Sequence, residues 1–114
     1  MMIERINSGA RASQVVLAGG RIETSGIVAE APYGDITSQT QNVLAQLEQW
    51  LLQVGANKEN LTRIQIWLSD MSEFAAMNEV YDAWVGEHPP ARACVGAALA
   101  TADYRIEIQA FGQL

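Results

Sequence analysis

An α+β sandwich, with two amphipathic helices on one face of a mixed six-stranded sheet, is the fold class this sequence predicts. Two stretches, 35–54 and Ser72 to just before Pro89-Pro90, space their apolar residues with helical period. Six shorter runs of strand character surround them, in the order β-β-β-α-β-α-β-β. The closing runs, Pro90–Val95 and Ile106–Ile108, each set one charged residue in apolar sequence: Arg92 in the first, Glu107 in the second.

The elements follow from local chemistry. Ile3-Glu4-Arg5-Ile6 reads as a first strand. Gln14–Ala18 is an apolar run stopped by Gly19-Gly20, a hairpin turn signal, and Arg21–Ser25 returns as the next strand, closed by Gly26. A loop containing Pro32 and Gly34 leads to the first helix. Ile36, Thr40, Val43, Leu44, Leu47, Leu51 and Val54 form its buried stripe, with Asp35 as N-cap and Gly55 as C-terminal stop. In Leu61–Leu68, Ile64, Ile66 and Leu68 alternate with Arg63, Gln65 and Trp67, the period of a strand. Ser72 is the expected cap of a second helix with the stripe Phe74, Met77, Tyr81, Trp84 and Val85. Strands over Ala91–Leu99 and Tyr104–Phe111 complete the chain. No third helix remains to cover the second sheet face, so self-association is the simplest cover.

Composition narrows the function. A chain of 114 residues is expected to form one domain, over 1–114. Hydrophobic residues make up 49% and charged residues only 18%, consistent with apolar surface hidden in an oligomer. A net charge of −6, with Lys58 the single lysine, argues against nucleic acid or an anionic membrane as partner. Cys94 is the only cysteine and His88 the only histidine, which leaves no intrachain disulfide and no Cys/His metal cluster. The N-terminal residues lack a basic region followed by an apolar core, and no run has the ~18 apolar residues of a membrane-spanning helix. The expected location is the cytoplasm.

Arg92 and Glu107 need a reason to lie in buried strands, because an unpaired charge there is costly. Either they neutralise each other, or they line a small site that holds an anion beside a carboxylate. Strand alternation puts Arg92, Cys94, Gly96 and Ala98 on one face, a large cation on a floor of small side chains. A guanidinium there can grip a carboxylate with two parallel hydrogen bonds. Glu107 shares its face with Gln109 and Phe111 and is suited to act as a general base or to orient a water; the plainer reading pairs it with Arg92 or Arg105. Cys94 has no evident base beside it, and burial is the ordinary state of a lone cysteine. His88 is expected at the end of the second helix, on its free carbonyls. Trp50, Trp67 and Trp84 read as core or interface residues, with Trp67 facing away from Ile66 and Leu68.

The same residues carry a resemblance. Pro90-Ala91-Arg92-Ala93-Cys94-Val95, Leu99 and Ile106-Glu107-Ile108 resemble the C-terminal signature of the RidA/YjgF family, the reactive intermediate/imine deaminases. Thr24-Ser25-Gly26, then Gln39, Asn42, Leu47, Leu51 and Gly55, then Phe74, Met77-Asn78 and Tyr81 extend the likeness over essentially the whole chain, which resembles a short, YoaB-like branch of the family. The resemblance implies a chorismate-mutase-like fold assembled as a homotrimer, with the sheets packed inward and the sites between subunits. It implies hydrolysis of 2-imino acids such as 2-iminopropanoate and 2-iminobutanoate, reached from their enamine tautomers, to 2-oxo acids and ammonia, with no cofactor. Arg92 would clamp the carboxylate, Glu107 would position or activate water, backbone at Cys94 would contact substrate, and Ser25 would lie nearby. The chain departs from the pattern at Arg11-Ala12-Ser13-Gln14, where the family has Gly-Pro-Tyr and Ala12 stands for the aromatic; at Ile27, often a glutamine; and in a shorter 26–35 loop.

Two other functions fit the same residues. One is a trimer that binds a small carboxylate through Arg92 without turnover, as a sensor or regulatory subunit. The other is a structural or chaperone-like protein with a vestigial cleft. Glu107 favours catalysis, because a carboxylate beside an anion site repels the ligand.

Overall fold

The computed structural model of the protein describes residues 2–114. The strands are β1 (Ile3–Ser8), β2 (Ser13–Ala18), β3 (Arg21–Thr24), β4 (Ile27–Val28), β5 (Leu61–Leu68), β6 (Ala91–Gly96) and β7 (Ile106–Gln113). The helices are α1 (Ile36–Gln53) and α2 (Phe74–Val85). The sheet runs β1-β2-β3-β7-β5-β6, with β4 also on β7. Only β5 and β6 are parallel, joined by the crossover through α2; every other pair is antiparallel. The expected mixed sheet with two helices is present.

The core lies between the helices and one sheet face. Val15, Ile22, Ile64, Ile66, Leu68, Ile106, Ile108 and Ala110 are fully buried against Val43, Leu44, Leu47 and Leu51 of α1 and Met77 and Tyr81 of α2. Each such Leu or Ile contributes about 1.5–3 kcal/mol on leaving water. Arg63, Gln65 and Trp67 of β5, Glu107, Gln109 and Phe111 of β7, and Ala93 and Val95 of β6 face the other way. No helix of the described residues lies over that second face, and Val95 is 47% exposed there.

Asp35 caps α1 as expected, accepting from Ser38 N–H at 2.9 Å, and Gly55, with φ 74°, follows the helix end. The second helix differs. Asp70, not Ser72, supplies the cap, accepting from Ser72 N–H at 2.9 Å; a 3₁₀ turn over Met71–Glu73 then precedes α2. At the other end, the Lys58 ammonium takes the Trp84 carbonyl, while His88 is exposed beyond Gly86.

The sheet has seven strands rather than six. Two residues are too few to show a period, so β4 reads in sequence as loop. Strand β6 stops at Gly96 instead of Leu99: Ala97 N–H makes the last rung, to Leu68 O at 3.0 Å, and the chain then leaves the sheet. Strand β7 begins at Ile106 and runs to Gln113, not from Tyr104 to Phe111. The Arg105 N–H is diverted to Oε1 of the buried Gln39 at 2.9 Å, and Gln39 Nε2 holds Asp103 O at 2.9 Å, which fixes the turn before β7.

Candidate functional site

Arg92 points to the helix side of β6. Its Nη1 donates to Asn78 Oδ1 at 2.8 Å, and its guanidinium carbon lies 4.7 Å from the Tyr81 ring centroid and 5.8 Å from that of Phe74. Positions 74, 78 and 81 fall on one face of α2 by helical spacing. A long, flexible cation on an edge strand is thereby held by a hydrogen bond and two aromatic faces before any ligand arrives. Tyr81 is 5% exposed, its hydroxyl is buried without a partner, and burial raises its pKa against the opposing pull of the Arg92 charge. The sequence stripe marked Phe74 and Tyr81 as core; that they also bracket Arg92 follows from β6 lying beneath them.

Cys94 follows on the same face. Burial pushes its thiol pKa up, only partly offset by Arg92, so the thiol form prevails near neutral pH and the side chain is a poor nucleophile. The expected open floor beyond it is partly filled. A side chain at Gly96 would meet Met71 Cγ at 3.0 Å, and Ala98 lies past the end of β6.

Glu107 lies on the opposite face. Arg92 is level with Ile64 and Glu107 with Trp67 on the shared neighbour β5. The two are thus separated by three residues along the strand, about 10 Å, by two strand spacings, about 10 Å more, and by the sheet itself. Mutual neutralisation within one protomer is excluded, and so is a one-protomer site that contains both. Arg105 is not the partner of Glu107 either; its Nη1 pairs with Glu73 at 3.0 Å. Among the described residues Glu107 has no ion pair. It opens into a cavity of about 230 Å³ lined by Trp67, Ala97, Ala98, Leu99 and Ala100. A larger groove of about 450 Å³ between α1 and α2, past Glu48 and Trp84, holds none of the candidate residues.

Ser25 stands beside Glu107's side of the sheet, at the break between β3 and β4. Its Oγ donates to Ser13 O at 2.6 Å and its N–H to Gln14 O at 2.9 Å. The hydroxyl proton is therefore engaged, while the oxygen can still accept. Ala12 is exposed in the adjoining β1–β2 turn, where its carbonyl accepts from Gly9 N–H at 2.8 Å.

The comparisons with known proteins agree with this architecture. Residues 2–113 match the family profile described as Endoribonuclease L-PSP. The RutC family protein YoaB of Escherichia coli K12 is 40% identical over 110 residues, covering 96% of each chain. A RutC family protein of Haemophilus influenzae is 36% identical over 110 residues, covering 95% of each. The crystal structure of a YjgF family member from Neisseria meningitidis superposes with a TM-score of 0.95 at 40% identity, covering 99% of this chain and 95% of that one. A family member from Mycobacterium tuberculosis gives a TM-score of 0.91 at 25% identity, covering 99% and 100%. Matched along almost its whole length in both sequence and fold, the chain belongs to the RidA/YjgF family.

Proposed function

We propose that residues 1–114 act as one RidA-like domain in a cytoplasmic homotrimer that hydrolyses reactive 2-imino acids, without a cofactor, at sites between subunits. The observation that carries this reading is the opposition of Arg92 and Glu107. Each is prepared for a ligand, neither is neutralised by the other, and they lie on opposite faces of one sheet. A site that uses both needs the Arg92 face of one copy against the Glu107 face of another. The second sheet face, with Trp67, Val95 and Phe111 uncovered by helix, supports the same assembly.

The chemistry asks little of the protein. An imine carbon is already electrophilic, so catalysis rests on holding the substrate and delivering water. Arg92 grips the carboxylate, with backbone at Cys94 and the Ser25 oxygen alongside. Water adds its oxygen to the imine carbon. One proton passes to Glu107 and on to the departing nitrogen; the other also ends on nitrogen as C=O forms and C–N breaks. The products are a 2-oxo acid and ammonia. The family profile's description suggests RNA cleavage instead, but a net charge of −6 opposes a polyanionic substrate.

Subunit complementation tests the reading. Arg92→Ala and Glu107→Gln proteins are each expected to be inactive towards imines generated by an amino-acid oxidase. Unfolded together and refolded as a mixture, they should regain about a quarter of wild-type activity, the share of intact sites in randomly mixed cyclic trimers. No recovery, with mixed trimers verified, would mean that no site combines Arg92 of one copy with Glu107 of another, and would overturn it. Wild type that binds 2-oxobutanoate without turning over imines would make the protein a carboxylate-binding trimer.

A further inference from the structure

The ladder along β7 changes step beside Glu107. Strand β3 follows β7 as far as Glu23 opposite Phe111, and β4 resumes with Ile27 opposite Ile108. Between them Thr24, Ser25 and Gly26 face only Gln109 and Ala110. The extra residue makes a bulge, a device that re-aims what stands next to it. This bulge is pinned from both neighbouring strands. Ser25 N–H and Oγ donate to Gln14 O and Ser13 O on one side. On the other, Gln109 Nε2 donates to Thr24 O at 3.0 Å and Ala110 N–H to Thr24 Oγ1 at 3.0 Å.

Gly26 ends the bulge on the face that carries Val28 and Glu107. A Cβ there would stand 2.0 Å from Glu107 Oε2, 2.8 Å from its Cδ and 3.2 Å from its Cγ. The carboxylate occupies the space that a side chain at position 26 would fill. Gly26 is not among the residues with positive φ, so its conformation admits alanine and the need for glycine is one of volume. A methyl here would displace whichever side yields more easily. The backbone is fastened; the Glu107 carboxylate is the far end of a flexible chain with no ion pair among the described residues.

We propose that Gly26 is a positioning residue for Glu107: the absent side chain is the socket that aims the carboxylate into the cavity beside Trp67 and Leu99. This rests on the reading of Glu107 as the group that activates water. It assigns to the glycine of the Ser25-Gly26 pair a task separate from gripping the ligand.

The test uses Gly26→Ala, Glu107→Asp and the double variant in the full chain. Gly26→Ala should melt close to wild type and bind 2-oxobutanoate normally, while kcat falls about 10- to 100-fold with KM little changed, as for a group displaced by about an ångström. Glu107→Asp is one methylene shorter and withdraws from position 26, so in the double variant the two losses should fail to multiply. A wild-type kcat in Gly26→Ala, multiplying losses in the double variant, or loss of 2-oxobutanoate binding in step with kcat would each overturn the assignment. A readout independent of turnover separates this from the deaminase reading. The carbon-13 resonance of the Glu107 side-chain carboxyl should move in Gly26→Ala, and an unmoved resonance would refute the socket even in a protein with no deaminase activity.

Discussion

The helix face of the sheet around Arg92 and the open face around Glu107 hold their charges by different means. Arg92 is over-determined: Asn78 fixes one nitrogen, Tyr81 and Phe74 flank the plane, and α2 carries all three. Glu107 has almost no such support. Trp67 stands across from it on β5, Gly26 leaves it room on the other side, and a cavity of about 230 Å³ lies in front. The difference suits the two tasks proposed. A clamp gains from a cation whose orientation is settled before the ligand arrives. A carboxylate that must take a proton and pass it on gains from freedom to swing between water and leaving group, which no ion pair among the described residues restrains.

The largest expected effect breaks the Glu107 side alone. Glu107→Gln should lower turnover about 100- to 10,000-fold. It should leave 2-oxobutanoate binding intact or tighten it, since the neighbouring repulsion is gone. Calorimetry beside the coupled oxidase assay separates the two effects; equal turnover in both proteins would end the catalytic assignment.

A smaller effect breaks the Arg92 side. Arg92→Ala should weaken 2-oxobutanoate binding about 10- to 100-fold, the worth of a charge-assisted pair. Arg92→Lys should also be impaired, because an ammonium cannot reproduce the planar two-point grip. Asn78→Ala, which leaves the charge and removes only its tether, should cost about 2- to 10-fold in the same titration.

The smallest effect sharpens the comparison through the helix that carries the cradle. Asp70 caps the turn leading into α2, and the Ser72 hydrogen bonds hold its carboxyl pKa below the usual value. A pKa lowered by folding gives stability that is present above the unfolded value and is lost as pH falls through the folded one. Asp70→Ala should therefore lower the melting temperature slightly at neutral pH, and the gap from wild type should close under acid conditions below about pH 4. A gap that stays constant with pH would mean that the capping carboxylate contributes nothing.

Much of this architecture was legible in the residues. The bounds of β5, the N-cap Asp35, the burial stripe of α1 and the uncovered second sheet face all follow from periods and caps that act within a few residues. So does the singling out of Arg92 and Glu107, since a charge inside an apolar strand is visible without a structure. The two-residue β4 and the capture of the Trp84 carbonyl by Lys58 were not legible, because each depends on what another segment brings to the spot; the Asp70 cap is local, and it was missed because a 3₁₀ turn over Met71–Glu73 puts the cap of the helical run two residues before Ser72. The role of Phe74 and Tyr81 is a sharper case: an aromatic at a stripe position reads as core whether it covers a leucine or a guanidinium.

The relation between Arg92 and Glu107 marks the boundary. Sequence by itself determined that each faces opposite to its immediate neighbours in its own strand, because side chains alternate with a period of two. Whether the two then face the same way depends on how β6 and β7 register against β5, and a shift of one residue reverses the answer. Only the tertiary structure decided that register, through the packing of Ile64, Ile66 and Leu68 under the helices and the bulge at Thr24–Gly26. It put the carboxylate on the open face because β7 buries Ile106, Ile108 and Ala110 under the helices, and it put the cation under α2 because parallel pairing sets Arg92 level with the buried Ile64, which turns Ala93 and Val95 outward.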